Sequence, residues 1–439
     1  MQQKTNFGSL ILLRIACYMS LAISFMPLVN YYCPWYITIF PVAIVLFITF
    51  NYEENLYPVL PAFIYILSFG LLEYLIVYRD SSMGYYMINY CIAFIPCLLA
   101  IQIGKTVEEK KFYEEYLTVT ALFSAITSIT TIIGLEIYPM ASRELASGTA
   151  VYDTEKYTRM NMGGYDYIYA MVIFIPVLMW MIKRANKWLL KALYIVILLL
   201  NVYCVYKSQY TIALICIVIS FVVVWTDRHN WLARFAIFSA LMLFIFFGFS
   251  MISDLFKWAS ESLEGEYLSD RFMQLSQFFA GENINTQTST ERIDHYKEQL
   301  EAFWESPLWG HNWFKFDKDY ISGHSVILDI LGGGGLFAGL LALVFNRRIY
   351  SLTFSPLEKK EMPHHLKATW LMLITVAFLN PAIFSTILTI AFMCCMCIYK
   401  LENDESNDET QKDFDEGVYE QTADDAKSNP EKGIVENEA

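Results

Sequence analysis

Apolar and polar positions along this chain separate into long blocks rather than short alternations. Runs long enough to cross about 30 Å of hydrocarbon are Ser9–Asn30, Pro34–Phe50, Tyr57–Tyr78, Tyr86–Gly104, Tyr116–Ile137, Gly164–Ile182, Leu190–Tyr206, Thr211–Thr226, Phe235–Ile252, Ser325–Phe345, Lys367–Leu379 and Ala382–Tyr399. They predict an all-α polytopic membrane protein of about twelve spans, the eleventh short. The connectors richest in Lys and Arg are 105–115, 183–191, 227–234 and 346–367, which all fall on one side if the N-terminus is cytoplasmic. Both termini are then inside. The other face receives 78–84, 138–163, 207–210, the corner at Asn380-Pro381 and one long polar segment, 253–323. The expected organisation is therefore spans one to nine over 1–252, a large external helical loop over 253–323, spans ten to twelve over 324–400, and a tail over 401–439.

The long polar segment carries the chain's best candidate chemistry. Thr288 to Glu291 reads T-x-x-E, a capping box that satisfies free N–H groups at a helix start, so a helix is expected from near Ser289. Ile293, Tyr296, Leu300, Phe303 and Trp304 recur at spacings of three and four, leaving Arg292, His295 and Gln299 on an adjoining face. Pro307 ends the pattern. Arg292 is expected in the first turn, where the helix dipole and unpaired N–H groups favour an anion and a guanidinium adds two-pronged phosphate geometry. A surface ion pair with Glu291 or Glu298 is the plainer alternative. Gly323-His324-Ser325 stands at the edge of the next apolar run, which sets an imidazole at the membrane surface within reach of a lipid-linked head group.

Composition agrees with the membrane reading and narrows the rest. The 439 residues are 56% hydrophobic and 16% aromatic, with mean hydropathy +0.38. Net charge is −13, but the tail from Leu401 to Ala439 alone carries fourteen acids and three Lys. The other residues hold 28 basic against 30 acidic side chains, so no nucleic-acid-binding character remains. The tail is expected to be disordered. Nine cysteines fall in or beside apolar runs and suggest neither a disulfide framework nor zinc spacing; Cys394-Cys395-Met396-Cys397 is expected to face the bilayer as filler. The first apolar run is longer than a signal-peptide core and has no convincing small-residue cleavage site, so it is expected to stay as a span. Gly332 to Gly335 lacks the strand, Lys and Ser/Thr of a phosphate-binding loop and points to close helix packing or a helix break. No internal repeat of the kind found in many transporters is visible.

The order Arg292, Trp304, S-P-L-W-G at 306–310, His324 with Leu328, then Gly335 and Gly339 resembles the signature of the bacterial O-antigen polymerase and ligase superfamily. That family carries an arginine helix and a P-x-x-G turn in a long external loop, then H-N-x-x-L and G-x-x-G at the next span. This chain departs from it in three places. Ser325 follows the His where Asn is usual, Gly333 stands where an acid is common, and Gly339 comes one residue late. The resemblance implies a metal-independent glycosyltransferase without a cofactor, in the bacterial inner membrane. Its donor would be an undecaprenyl-pyrophosphate-linked glycan, with a flippase and a chain-length regulator as pathway partners. Arg292 and His324 are the implied catalytic pair, the His either binding pyrophosphate or accepting a hydroxyl proton.

Further substrate-binding candidates surround that pair. Arg271 offers a second external charge or a salt bridge to Asp270 or Glu266. Arg159 precedes the sixth span, and Lys207 follows the seventh, where it is a phosphate point charge or a snorkelling cation. His295 and His311 either stack on sugar or hold the loop together. Aromatic residues crowd the same loop, as sugar platforms or as an interfacial belt. Within the family, polymerase and ligase differ in acceptor: another lipid-linked repeat unit, or lipid A–core or a protein. A non-enzymatic exporter of lipid-linked glycan would also suit twelve spans.

Overall fold

The structure, a computed structural model, describes residues 7–33, 41–42, 44–46, 94–139, 141–147, 151–226, 249–263, 267–280, 287–310, 325–354, 363–379 and 385–403. Among them all regular structure is helical. The first group is α1 (Phe7–Phe25), α2 (Pro27–Tyr32), α3 (Ile95–Thr106), α4 (Lys110–Ile137), α5 (Ala141–Ser147), α6 (Val151–Arg159), α7 (Tyr165–Arg184), α8 (Trp188–Lys207) and α9 (Thr211–Thr226). Then come α10 (Phe249–Ser262), α11 (Tyr267–Ala280), α12 (Gln287–Glu305), α13 (Val326–Phe354), α14 (His364–Leu379) and α15 (Thr386–Asn403), the last with a π-helical turn over Thr389–Cys394.

Five of these are long and apolar enough to cross a membrane: α1, α4, α7, α8 and α15. A sixth counts if the two parts of α13, Val326–Leu340 and Ala342–Phe354, bent by 61°, form one broken span. The expected runs Tyr86–Gly104, Thr211–Thr226 and Lys367–Leu379 correspond to shorter apolar helices. The runs Pro34–Phe50, Tyr57–Tyr78 and Phe235–Ile252 lie wholly or largely outside the described residues, as does the tail beyond Asn403.

Helix α4 displays the inversion a bilayer demands. Leu122, Ile126, Ile129, Ile133 and Ile137, at spacings of three and four, are exposed, while Thr120, Ser124, Thr127, Ser128 and Thr131 are buried. Hydroxyls turned inward and isoleucines outward suit a solvent as apolar as the isoleucines themselves. This is a membrane protein. At its centre, α7 has 78% of its apolar window buried and packs against α8, α9, α14 and α15. Pro176 inside α7 is tolerated because neighbouring helices surround it. Cys394, Cys395 and Cys397 are buried in α15 rather than facing lipid, which corrects the expectation for that run. Their helix is an interior one, and small thiols allow it to pack closely.

Two polar networks tie the bundle together. Between α4, α7 and α8, the Tyr167 hydroxyl donates to the Ser124 carbonyl at 2.5 Å. The Ser128 hydroxyl donates to Asn201 Oδ1 at 2.8 Å and lies 2.9 Å from Tyr167 Oη. Asn201 Nδ2 closes the ring on Ser124 Oγ at 3.2 Å. The second network splices the break between α1 and α2 to α4. Pro27 begins α2, and the orphan N–H of Leu28 in its first turn finds Asn161 Oδ1 at 3.1 Å. The carbonyl of Phe25, orphaned at the end of α1, accepts from Thr127 at 2.7 Å. Asn161 Nδ2 in turn donates to Thr127 and Thr130, at 3.1 and 3.2 Å.

Charged groups sort the bundle's two ends. One end carries the pairs Arg14–Glu109 at 2.7 Å and Arg184–Glu114 at 3.7 Å, with Trp180 Nε1 donating to Glu402 at 2.6 Å. The opposite end carries Lys207–Glu136 at 2.7 Å and the Asn161 network. Thr386 at the start of α15 joins that end too, donating to the Ser24 carbonyl at 2.5 Å.

Candidate functional site

Helices α12 and α13 hold the two halves of the sequence signature, and they meet. The turn after α12, Pro307 to Gly310, docks on a break in α13 at Gly335, whose φ of 64° and ψ of −165° are not helical. Breaking a helix there frees the N–H groups of the next two residues. The turn supplies their acceptors: Leu336 N–H donates to the Pro307 carbonyl at 2.8 Å and Phe337 N–H to the Leu308 carbonyl at 3.1 Å. Gly310, at φ 75°, is pressed against the backbone of Gly333 and Gly334, so neither side of this contact has room for a Cβ. Trp309 leans on Phe337 with ring centroids 5.2 Å apart. The expectation of close packing or a helix break at 332–335 thus describes two parts of one feature.

The contacts also set the direction of the pair. Gln299 touches Gly332, Pro307 meets Leu336, and Leu308 meets Phe337, so from Gln299 to Leu308 the chain advances in the same sense as α13. Seven residues upstream of Gln299 and Gly332 lie Arg292 and Ser325, each about 10 Å back along its helix axis at 1.5 Å per residue. Arg292 and the residue that follows His324 therefore belong to the same end of the pair. Ser325 is fully buried and caps α13, its Oγ accepting from Leu328 N–H at 3.2 Å. Serine is among the side chains that best cap a helix start.

That shared end faces the same way as the Asn161 end of the bundle. The Tyr296 hydroxyl on α12 donates to the carbonyl of Leu379, the last residue of α14, at 3.2 Å. α15 starts a few residues later beside Ser24.

The individual candidates fare differently. Arg292 lies on α12, whose first described residue, Gln287, is close to the expected start near Ser289. His324 and His311 lie outside the described residues. Arg159 donates from Nε to Tyr31 Oη at 2.6 Å and from Nη2 to Glu155 at 2.5 Å, with its guanidinium 4.8 Å from the Tyr31 ring centre. Its hydrogen bond to Tyr31 raises its pKa further, and Tyr31 and Arg159 together hold the Glu155 carboxyl below its ordinary value. Lys207 pairs with Glu136. His295 lies 3.3 Å from Glu298 on its own helix, and Arg271 donates to Gln274 at 2.7 Å.

Sequence reasoning missed Tyr31, Glu155, Glu136 and Asn161, the partners that hold Arg159, Lys207 and the loop before α7. The one visible signal was Asn161 standing just before Gly163-Gly164, since Asn is the residue besides Gly that most readily takes a positive φ, here 56°. Among the described residues no group of three or more His, Cys, Asp or Glu is placed to hold a metal ion. No family model and no curated protein sequence matches the chain.

Proposed function

We propose that this chain polymerises undecaprenyl-pyrophosphate-linked oligosaccharide repeat units into surface polysaccharide, acting as a metal-independent glycosyltransferase at the periplasmic face of the bacterial inner membrane. The observation that carries the reading is the clasp of the Pro307–Gly310 turn on the Gly335 break. Two motif pieces that resemble one family signature pack into one unit, which supports Arg292 and His324 acting at one end of it.

In this reading twelve spans cross the membrane with both termini in the cytoplasm, and 253–323 is the large periplasmic loop. An acceptor sugar hydroxyl attacks the anomeric carbon of the donor, its proton passes to a base, and the carbon–oxygen bond to pyrophosphate breaks. Pyrophosphate is already a good leaving group, so the protein's task is to place cations on the departing charge and to orient two glycans. Arg292 takes the diphosphate. His324 binds beside it or accepts the hydroxyl proton, as a near-neutral pKa permits. Arg159 and Lys207, at the corresponding end of the bundle and each already paired with a carboxylate, would add positive charge near an anionic donor, while His295, His311 and Arg271 would contact glycan along the loop.

Replacing Arg292 or His324 by Ala is expected to abolish long-chain glycan with protein level unchanged; long chains persisting in both variants would sink the assignment. Glycan gels of a deletion strain separate the two family activities. Single repeat units on the lipid core mark a polymerase, whereas bare core with accumulated lipid-linked polymer marks a ligase. Purified protein in liposomes, given donor on the accessible face, forms a new glycosidic bond if it is an enzyme and none if it is an exporter.

A further inference from the structure

Helices α10 and α11 form an antiparallel hairpin whose two outward faces differ in chemistry. Its seam is made of serines and one aromatic pair. Ser253 donates to the Ser276 carbonyl at 2.9 Å, Ser260 and Ser269 exchange hydrogen bonds to each other's carbonyls at 2.7 and 2.8 Å, and Phe256 stacks on Phe272 with centroids 5.7 Å apart. At 3.6 residues per turn, the remaining surface of α10 divides into two stripes. Asp254, Lys257 and Glu261 form an exposed polar strip, while Leu255 and Trp258, one turn apart on another side, are 55% and 65% exposed. Helix α11 turns Asp270, Arg271, Gln274 and Gln277 away from the seam. The hairpin thus has one apolar outer side, on α10, and one polar outer side, on α11.

We propose that this hairpin lies flat on the membrane, α10 downward, with Leu255 and Trp258 in the boundary between head groups and acyl chains. The occupant of the apolar side is the protein's own bilayer, because in the sequence the first turn of α10, Phe249–Ile252, is the end of an apolar run long enough to cross it. An amphipathic helix so tethered buries its apolar stripe in the interface, and tryptophan is the side chain best suited to that depth. The polar strip holds two acids and one Lys, so attachment comes from apolar burial and not from attraction to anionic lipid. Arg271 then faces water. This inference rests on membrane insertion alone and is independent of glycosyl transfer.

The test compares full-length protein with a Trp258→Phe variant in phosphatidylcholine liposomes, using lipids brominated at a shallow acyl position and aqueous iodide as opposing quenchers. The Trp258 emission, read as the difference, is expected to be lost to bromolipid, protected from iodide, and unchanged by added anionic lipid or salt. Emission quenched by iodide and untouched by bromolipid would overturn the proposal. Protection from both would do so too, since a second copy or another protein would then cover the face. Should Trp258→Phe fail to fold, Leu255→Trp and Glu261→Trp give the same reading as gained signals: the first lost to bromolipid and the second to iodide, with the reverse pattern refuting the orientation.

Discussion

Gly310 and Gly335 meet backbone to backbone: a Cβ on Gly335 would stand 2.5 Å from the amide nitrogen of Gly310. Both have positive φ, 75° and 64°, so two independent constraints, space and dihedral angle, exclude side chains from the contact. Gly335→Ala should therefore destabilise the protein by at least about 1–3 kcal/mol, the range for a residue forced into a glycine-only backbone region. Thermal unfolding in detergent reads the loss. Gly339→Ala makes the comparison, because its Cβ would meet only the Leu331 side chain, at 3.0 Å, and a flexible tip can yield. Equal effects at the two glycines would mean that the clasp is not what constrains Gly335.

Ser128 is the hub of the intramembrane ring, with contacts to Tyr167 and Asn201. Hydrogen bonds between membrane helices average about 0.6 kcal/mol and reach about 1.7. Ser128→Ala should cost about 1–2 kcal/mol, since it removes one hydroxyl and leaves two partners short. The double variant Ser128→Ala with Asn201→Leu should lose less than the sum of the singles. Strict additivity in that cycle would show that the ring is not one unit.

Asn161 combines a positive φ with a side chain bonded to both Leu28 and α4. Asn161→Gly keeps the backbone freedom and loses the bonds; Asn161→Ala loses both. The alanine variant should be the less stable by about 1–2 kcal/mol, the penalty of the left-handed conformation. Unfolding curves that coincide would place the whole role of Asn161 in its hydrogen bonds.

The link from α2 to α6 should depend on pH at both extremes. The Glu155 carboxyl is held low, first by its hydrogen bond from Tyr31 and then by the Arg159 charge. A lowered carboxyl contributes stability above its unfolded pKa and loses it as pH falls through the folded one. The Tyr31 phenol is raised, chiefly by its bond to Glu155, so its contribution is present below the unfolded pKa and lost as pH rises through the folded one. Amide exchange in 151–159 should thus be steadiest near neutrality and quicken toward acid. Glu155→Gln should remove the acid limb, and an unchanged limb in that variant would place the titration elsewhere.

Much of the helical layout was legible because apolar run length needs no partner to interpret. Tyr116–Ile137 and Leu190–Tyr206 each fall inside an observed helix, and Gly164–Ile182 does so from its second residue on. The end of α12 was legible too, since proline cannot donate the next hydrogen bond. Its beginning was close: the capping box suggested a start near Ser289, and the described helix begins at Gln287. For the cysteines of α15, hydropathy reports only that lipid or protein interior would accept them. It does not say which, because both are apolar.

By itself the sequence determined that the chain enters a membrane, where several of its helices run, and that an arginine, a P-x-x-G turn and a glycine cluster follow in order. Only the tertiary structure decided that the turn and the glycines are one contact, that α12 leads into it in the same sense as α13, and that Arg159 and Lys207 already hold carboxylate partners. Those facts join residues far apart in the chain, and no periodicity along one helix encodes which face of another will receive it.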